Sequence, residues 1–195
     1  MFFKIIYALA FIFVHLFFRP VFFGRENIPK GGTLICCNHT SYLDAVFLCI
    51  ALGSKLRPYY MAKKELFRFP VFSAGIRALG AFPVDRSGID IGALKISLKV
   101  LSSGGMLVLF PEGTRVVNGK ISEAKAGAGM LAMRSDCLVL PVYIEEDKHV
   151  FRKNRVIIGE PFRVERPEGR PTADAYKNVS DDILKRIFDL KEEKQ

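Results

Sequence analysis

Past residue 20, short apolar runs alternate with amphipathic stretches, and breaks containing glycine or proline separate them. Thr33–Cys37 is a mostly apolar run of strand length, as a strand buried on both faces requires. Leu43–Leu52 stays apolar for too long to be a strand and is stopped by Gly53, which predicts a helix. Residues 58–62 and Ala81–Val84 read as strands, with a helix over 72–79 between them. Residues 89–101 predict an amphipathic helix: Ile89, Leu94, Leu98 and Leu101 share a face, and Lys95 and Lys99 lie off it. Strands follow over 106–110, Leu138–Ile144 and 155–158, with a short helix over 127–134. A polar helix over 173–190 carries Ile183, Leu184, Ile187 and Leu190 as its apolar stripe. This alternation predicts an α/β fold: one domain over residues 21–195, with a mixed, largely buried sheet flanked by helices. No repeat or linker divides it, and residues 166–171 form an exposed loop.

Residues 1–18 depart from this rhythm. All but Lys4 and His15 are hydrophobic, Arg19 and Pro20 end the run, and no small-residue cleavage site marks a removable signal peptide. Only 14 residues separate Lys4 from Arg19, roughly 21 Å of helix against about 30 Å of hydrocarbon. Snorkelling of Lys4 and continuation through residues 21–23 would permit a tilted span, and a helix buried in the core is the plain alternative. Phe2, Phe3, Phe11, Phe13 and Phe17, however, point around most of the helix circumference, which a small core cannot bury. The expectation is an N-terminal apolar membrane-anchoring helix over residues 1–20. It would lie monotopically in the cytoplasmic leaflet, with Arg19, Arg25 and Lys30 beside it.

Composition narrows the class. With 50% hydrophobic and 25% charged residues the chain is not disordered. The net charge of +9 is carried by residues 1–144, which hold 17 basic against 8 acidic side chains; residues 145–195 balance at 12 of each. A basic surface beside an apolar segment suits anionic lipid or a phosphorylated substrate. Nucleic acid is not the expected partner, because no signature of a nucleic-acid-binding module occurs. The cysteines Cys36, Cys37, Cys49 and Cys137 form no CxxC pair and are expected to be buried and reduced. Cys36, Cys37 and His39 do not make a metal site, since adjacent strand residues face opposite ways; no metal is expected.

The chemistry-bearing residues sit where predicted strands end. His39 follows the first such strand and Asp44 opens the next helix. A carboxylate on one imidazole nitrogen fixes the tautomer and stabilises the imidazolium formed when the other nitrogen takes a proton. Alone, the pair is better read as a structural histidine and a helix-capping aspartate. Residues 110–115, Phe-Pro-Glu-Gly-Thr-Arg, add a tight turn after a second strand and display Glu112, Gly113, Thr114 and Arg115. Arg86 ends a third, and an arginine fork suits phosphate. Thr40 and Ser41 lack a nucleophile-elbow sequence, so the attacking hydroxyl is expected to belong to a bound acceptor. Lys63, Lys64 and Arg68, interleaved with Phe67, Phe69 and Phe72, suggest a membrane-interface stretch beside an acyl entrance; packing of these aromatics into the core is the alternative.

Taken together, residues 38–44 (Asn-His-Thr-Ser-Tyr-Leu-Asp) and residues 110–115 resemble the first and third blocks of the glycerolipid acyltransferases, typified by 1-acylglycerol-3-phosphate acyltransferase. Leu138–Ile144 with Pro141 matches the fourth block. Residues 80–86 match the second loosely: Gly80 and Arg86 carry over, while Pro83 stands at the aromatic position and Phe82 falls one residue early. The resemblance implies that His39 deprotonates the sn-2 hydroxyl of 1-acylglycerol-3-phosphate, which attacks an acyl thioester and yields phosphatidic acid. By the same resemblance Asp44 orients His39, Arg115 and Arg86 hold the acceptor phosphate, and Glu112 positions the glycerol part or Arg115. The implied partners are membrane lipid, a lysophospholipid acceptor, and acyl-CoA or acyl carrier protein as donor, with no further cofactor. Glycerol-3-phosphate, another lysophospholipid or an acylated amino acid would fit the same residues as acceptor. A non-catalytic lipid-binding membrane protein is the remaining alternative.

Overall fold

The computed structural model of the chain describes residues 2–85, 87–88, 90–116, 123–167 and 169–193. Helix α1 (Phe2–Phe18) is followed by β1 (Pro20–Phe23), β2 (Thr33–Cys37), α2 (Leu43–Leu52), β3 (Tyr59–Lys63), α3 (Pro70–Ala78) and β4 (Ala81–Val84). Then come α4 (Ile91–Ser102), β5 (Met106–Leu109), α5 (Gly127–Ser135), β6 (Leu138–Ile144), β7 (Asn154–Ile158) and α6 (Ala173–Glu193). The strands form one 7-stranded sheet in the order β1-β7-β6-β2-β5-β3-β4. It is mixed: β6, β2, β5, β3 and β4 run parallel, and β7, with β1 parallel to it, runs antiparallel to β6.

Period-two alternation along the central strands sorts their side chains into two cores. Leu34, Cys36, Leu107, Val139, Tyr143 and Ile157 meet residues of α4, α5 and α6 on one face. Ile35, Cys37, Val108, Leu140, Val142 and Ile158 meet Phe47, Leu48 and Ala51 of α2 and Val14 and Phe18 of α1 on the other. Cys36 and Cys37 therefore point to opposite faces, and all the cysteines are free and buried. Complete burial of a side chain such as Phe47 is worth about 1.5–3 kcal/mol, and β2, buried at every position, gains most from being central.

Element boundaries move little from the sequence reading, and the shifts have local causes. Pro70 takes the first turn of α3, where its missing N–H costs nothing, so the helix starts before residue 72. Asp90 caps α4 by accepting the Ala93 N–H, so the helix begins at Ile91; Ile89 lies outside the described residues. Residues 21–23 do not prolong the N-terminal helix: the chain turns at Arg19 and β1 pairs with β7. Gly129 matters for packing, since a Cβ there would lie 2.1 Å from the Tyr176 carbonyl oxygen; glycine lets α5 and α6 approach.

Helix α1 is neither a free arm nor fully buried. Val14 and Phe18 are core residues, whereas Leu9, Ile12 and Leu16 are each about three-fifths exposed. Its 17 residues span about 25 Å at 1.5 Å each, and no helix among the described residues is long and apolar enough to cross a membrane.

Candidate active site

Parallel pairing of β2 with β5 decides the site. The register runs from Thr33 opposite Met106 to Cys36 opposite Leu109, so the segments after these strands emerge side by side. Residues 38–44 and 110–115, more than sixty positions apart, thereby become neighbours. The junction is stitched: Val116 N–H donates to the His39 carbonyl at 2.8 Å, and the Phe110 ring stacks on the imidazole at 3.8 Å between centroids, tilted 19°. On the opposite side, the buried Asn38 side chain donates to the Ile144 carbonyl and accepts from the Ile144 N–H, both at 2.8 Å. Its amide mimics one more strand residue and locks the end of β2 to β6.

His39 Nδ1 lies 3.0 Å from Asp44 Oδ2, and both residues are buried. The five-residue spacing works because Asp44 sits in the first turn of α2 and faces back across the turn. The same Oδ2 accepts the N–H groups of Thr40 at 2.7 Å and Ser41 at 2.8 Å, which fixes the carboxylate. Lys148, from the loop between β6 and β7, forms a buried ion pair with Asp44 Oδ1 and donates to Thr40 Oγ1 at 3.0 Å. Burial pushes the Asp44 carboxyl upward, but the His39 hydrogen bond, the Lys148 charge and hydrogen bond, and the Ser41 N–H prevail and hold it below the ordinary value.

With Nδ1 committed to Asp44, Nε2 is the nitrogen left to take a proton. The nearby hydroxyls are engaged elsewhere. Thr40 Oγ1 donates to the Glu146 carbonyl, and Ser41 Oγ accepts the Leu43 N–H. The geometry thus suits deprotonation of an incoming hydroxyl.

The turn over residues 110–115 does not present two solvated charges. Glu112 is 2% exposed and Arg115 is exposed, and no ion pair joins them among the described residues. Arg115 instead lies over the Tyr42 ring, 3.8 Å from its centroid, its guanidinium fork open to solvent. Gly113 has φ +70°, and a Cβ there would fall 2.7 Å from the Lys125 side chain, so only glycine fits without a shift. Thr114 is exposed beside it. Arg86 lies outside the described residues.

Burial raises Glu112 to about 7, against the opposing N–H bonds from His39 and from its own backbone; the nearby Asp44 and Glu146 charges push it further up. Its Oε2 has no hydrogen-bond partner among the described residues. Because folding raises this pKa, the contribution of Glu112 to stability is complete below about 4.5 and is lost as pH rises through about 7. Denaturant unfolding of Glu112→Gln is therefore expected to show a flatter stability profile from pH 5 to 8 than the parent. The difference should reach about 3 kcal/mol at the alkaline end. Parallel profiles would mean that Glu112 is ionised throughout.

The predicted interface stretch separates into parts. Phe69 and Phe72 are 67% and 51% exposed, which excludes the core alternative for them, while Phe67 is half-buried under Arg77 at 4.7 Å. Lys64 pairs with Asp85 and Lys63 with Glu65, leaving this segment less cationic than its sequence suggests; Arg68 is exposed. These residues stand in and around α3, which touches α1. The sequence reading missed Lys148, the Phe110 stacking and the Asn38 tie. Of these, only Phe110 and Asn38 lay inside recognisable blocks.

The family model described as Acyltransferase matches residues 19–145. Over 177 residues the chain is 30% identical to the 1-acyl-sn-glycerol-3-phosphate acyltransferase of Bacillus subtilis (strain 168), covering 86% of each. It is 34% identical over 122 residues to the enzyme of that name from Streptococcus pneumoniae (strain ATCC BAA-255 / R6), but spans only 44% of that relative. The crystal structure of the 1-acyl-sn-glycerophosphate (LPA) acyltransferase PlsC from Thermotoga maritima is similar over 97% of this chain and 79% of that one, with TM-score 0.71 and 28% identity.

Proposed function

Because this chain belongs to the acyltransferase family, we propose that it moves a fatty acyl group from a thioester to the sn-2 hydroxyl of 1-acylglycerol-3-phosphate, forming phosphatidic acid. The observation that carries the reading is a buried His39–Asp44 pair placed by strand pairing beside the exposed fork of Arg115. His39 Nε2 takes the proton of the acceptor hydroxyl as its oxygen bonds to the thioester carbonyl carbon. Asp44 stabilises the imidazolium, and collapse of the tetrahedral intermediate breaks the C–S bond. The leaving thiolate then takes the proton back from His39, which restores the neutral imidazole and needs no enzyme-bound acyl group. The donor is acyl-CoA or acyl-acyl carrier protein, and the reaction needs no other cofactor.

Arg115 holds the acceptor phosphate in this scheme, with Arg86 assisting and the turn of Glu112, Gly113 and Thr114 shaping the site. Arg115→Lys is expected to raise KM for 1-acylglycerol-3-phosphate about tenfold with little change in kcat, because a point charge replaces a bidentate fork. Unchanged KM, or equal turnover of a neutral lyso-acceptor by the parent, would remove the phosphate role. The function itself is tested by giving purified protein a panel of lyso-acceptors with both donor types and identifying products by mass. Phosphatidic acid is the product expected.

Membrane docking fits the exposed apolar side chains of α1 and of α3 with the residue before it, Leu9, Ile12, Leu16, Phe69, Val71 and Phe72 among them. Helix α1 would lie in the cytoplasmic leaflet with its Val14 and Phe18 edge kept on the protein. Deleting the helix would strip the core, so the informative variant is Leu9→Ser with Leu16→Ser, together with Phe69→Ser. It is expected to remain folded and lose sedimentation with anionic vesicles; unchanged sedimentation would rule the surface out.

A further inference from the structure

Lys148 belongs to none of the sequence blocks, yet among the described residues it is the cation paired with Asp44. Its side chain is 4% exposed, and it meets Asp44 Oδ1 and Thr40 Oγ1. A lysine charge is expensive to bury unless paired and hydrogen-bonded, and here both conditions are met. The loop that carries it is itself held. Asn154 accepts the His149 N–H and donates to the carbonyls of His149, Arg152 and Phe18, while Phe151 N–H donates to the Phe17 carbonyl. Lys148 is thus delivered to Asp44 by a loop pinned to the end of α1.

Geometry alone does not explain the lysine. Asp44 Oδ2 is already fixed by His39, Thr40 and Ser41, so the carboxylate is oriented without it. What Lys148 adds is charge. An Asp–His pair with nothing opposite favours the imidazolium, because the carboxylate attracts the proton; a cation on the far oxygen offsets that attraction. Among the described residues, the other titratable groups around His39 are Cys37 at the end of β2, whose thiol is pushed up chiefly by burial, and Glu112 after β5. Behind Glu112 stands Glu146, paired with Lys191 of α6, while Arg115 is drawn away over Tyr42. None of these offsets the Asp44 charge in its place.

We infer that Lys148 is a positioning residue of the acyl transfer: paired with the far oxygen of Asp44, it offsets part of the charge that the carboxylate sets against His39, so that the imidazole is tuned to accept the acceptor's proton. The inference rests on the acyl-transfer reading above, and its test separates the two. Lys148→Met and Lys148→Gln remove the charge; the glutamine keeps a donor for Asp44. In either, the acid limb of the kcat/KM profile is expected to move upward by about one to two pH units, the scale of losing a unit charge one carboxylate away. Activity should then fall at neutral pH and recover toward pH 9, whereas a merely structural loss would lower it equally at every pH. Lys148→Arg, which keeps the charge, is expected to restore the parent profile. The His39 imidazole titration followed by NMR should move with the acid limb, and it reads the inference even if the parent transfers no acyl group to any acceptor. An unshifted titration in a folded Lys148→Met or Lys148→Gln overturns the inference, as does failure of both to fold while Lys148→Arg folds.

Discussion

Replacing His39 by alanine is expected to lower kcat for acyl transfer by about 10²- to 10⁴-fold, the usual contribution of a positioned general base. The acceptor hydroxyl would then have to attack with its proton still attached, and no neighbouring side chain replaces the imidazole. Thr40 and Ser41 are engaged in local hydrogen bonds, and the Asp44 carboxylate is wrapped by its own donors. KM for both substrates should change little, because the imidazole acts on the reacting oxygen rather than on the phosphate or the acyl chain. Truncation removes the stack on Phe110 and one hydrogen bond to Asp44, a stability loss of about 1–2 kcal/mol that leaves the fold intact. Steady-state rates beside a thermal melt check both halves. A near-normal kcat would end the mechanism.

Asp44→Asn is expected to be as damaging to activity, on the order of 10³- to 10⁴-fold, and worse for stability. The amide cannot stabilise the imidazolium, and it can impose the wrong tautomer on His39. It also leaves Lys148 buried without its counter-charge, and breaking a buried pair from one side costs about 3–5 kcal/mol. The two losses are separable. Adding Lys148→Met to Asp44→Asn should recover much of the stability and none of the activity, a coupling that a double-mutant cycle measures directly. The pH dependence follows from the direction of the Asp44 shift. Folding lowers this pKa, so the stability from the ionised carboxylate is complete above the ordinary carboxylate range and lost as pH falls through the lowered value. Asp44→Asn should therefore narrow its stability gap to the parent below about pH 4; a constant gap would show that folding does not lower the Asp44 pKa.

Much of the sheet was legible because a strand buried on both faces writes itself as a compact apolar run. Thr33–Cys37, Ala81–Val84 and Leu138–Ile144 form strands with the boundaries their sequences suggest. Helix α2 and the stripe on α6 were legible for the same reason, at the helical period. Strand β1 was not, because its four residues continue the apolar character of α1, and only the turn at Arg19 and the pairing with β7 separate them. The burial of Glu112 was not legible, because burial is a property of what lies above a turn, not of the turn's own residues.

The sequence by itself determined the class of chemistry. His39 and Asp44 lie five residues apart across one strand-to-helix turn, so their contact is a local consequence of backbone geometry, and residues 110–115 announce a second turn at a strand end. Only the tertiary structure decided that these turns share one site, because it is the parallel register of β2 with β5 that sets Phe110 against the imidazole. It alone also brings in Lys148, 108 positions from the Thr40 hydroxyl it binds. A lone lysine in a polar loop has no periodicity or motif to mark it; its meaning comes from the buried carboxylate it neutralises, and that pairing exists only once the chain has folded.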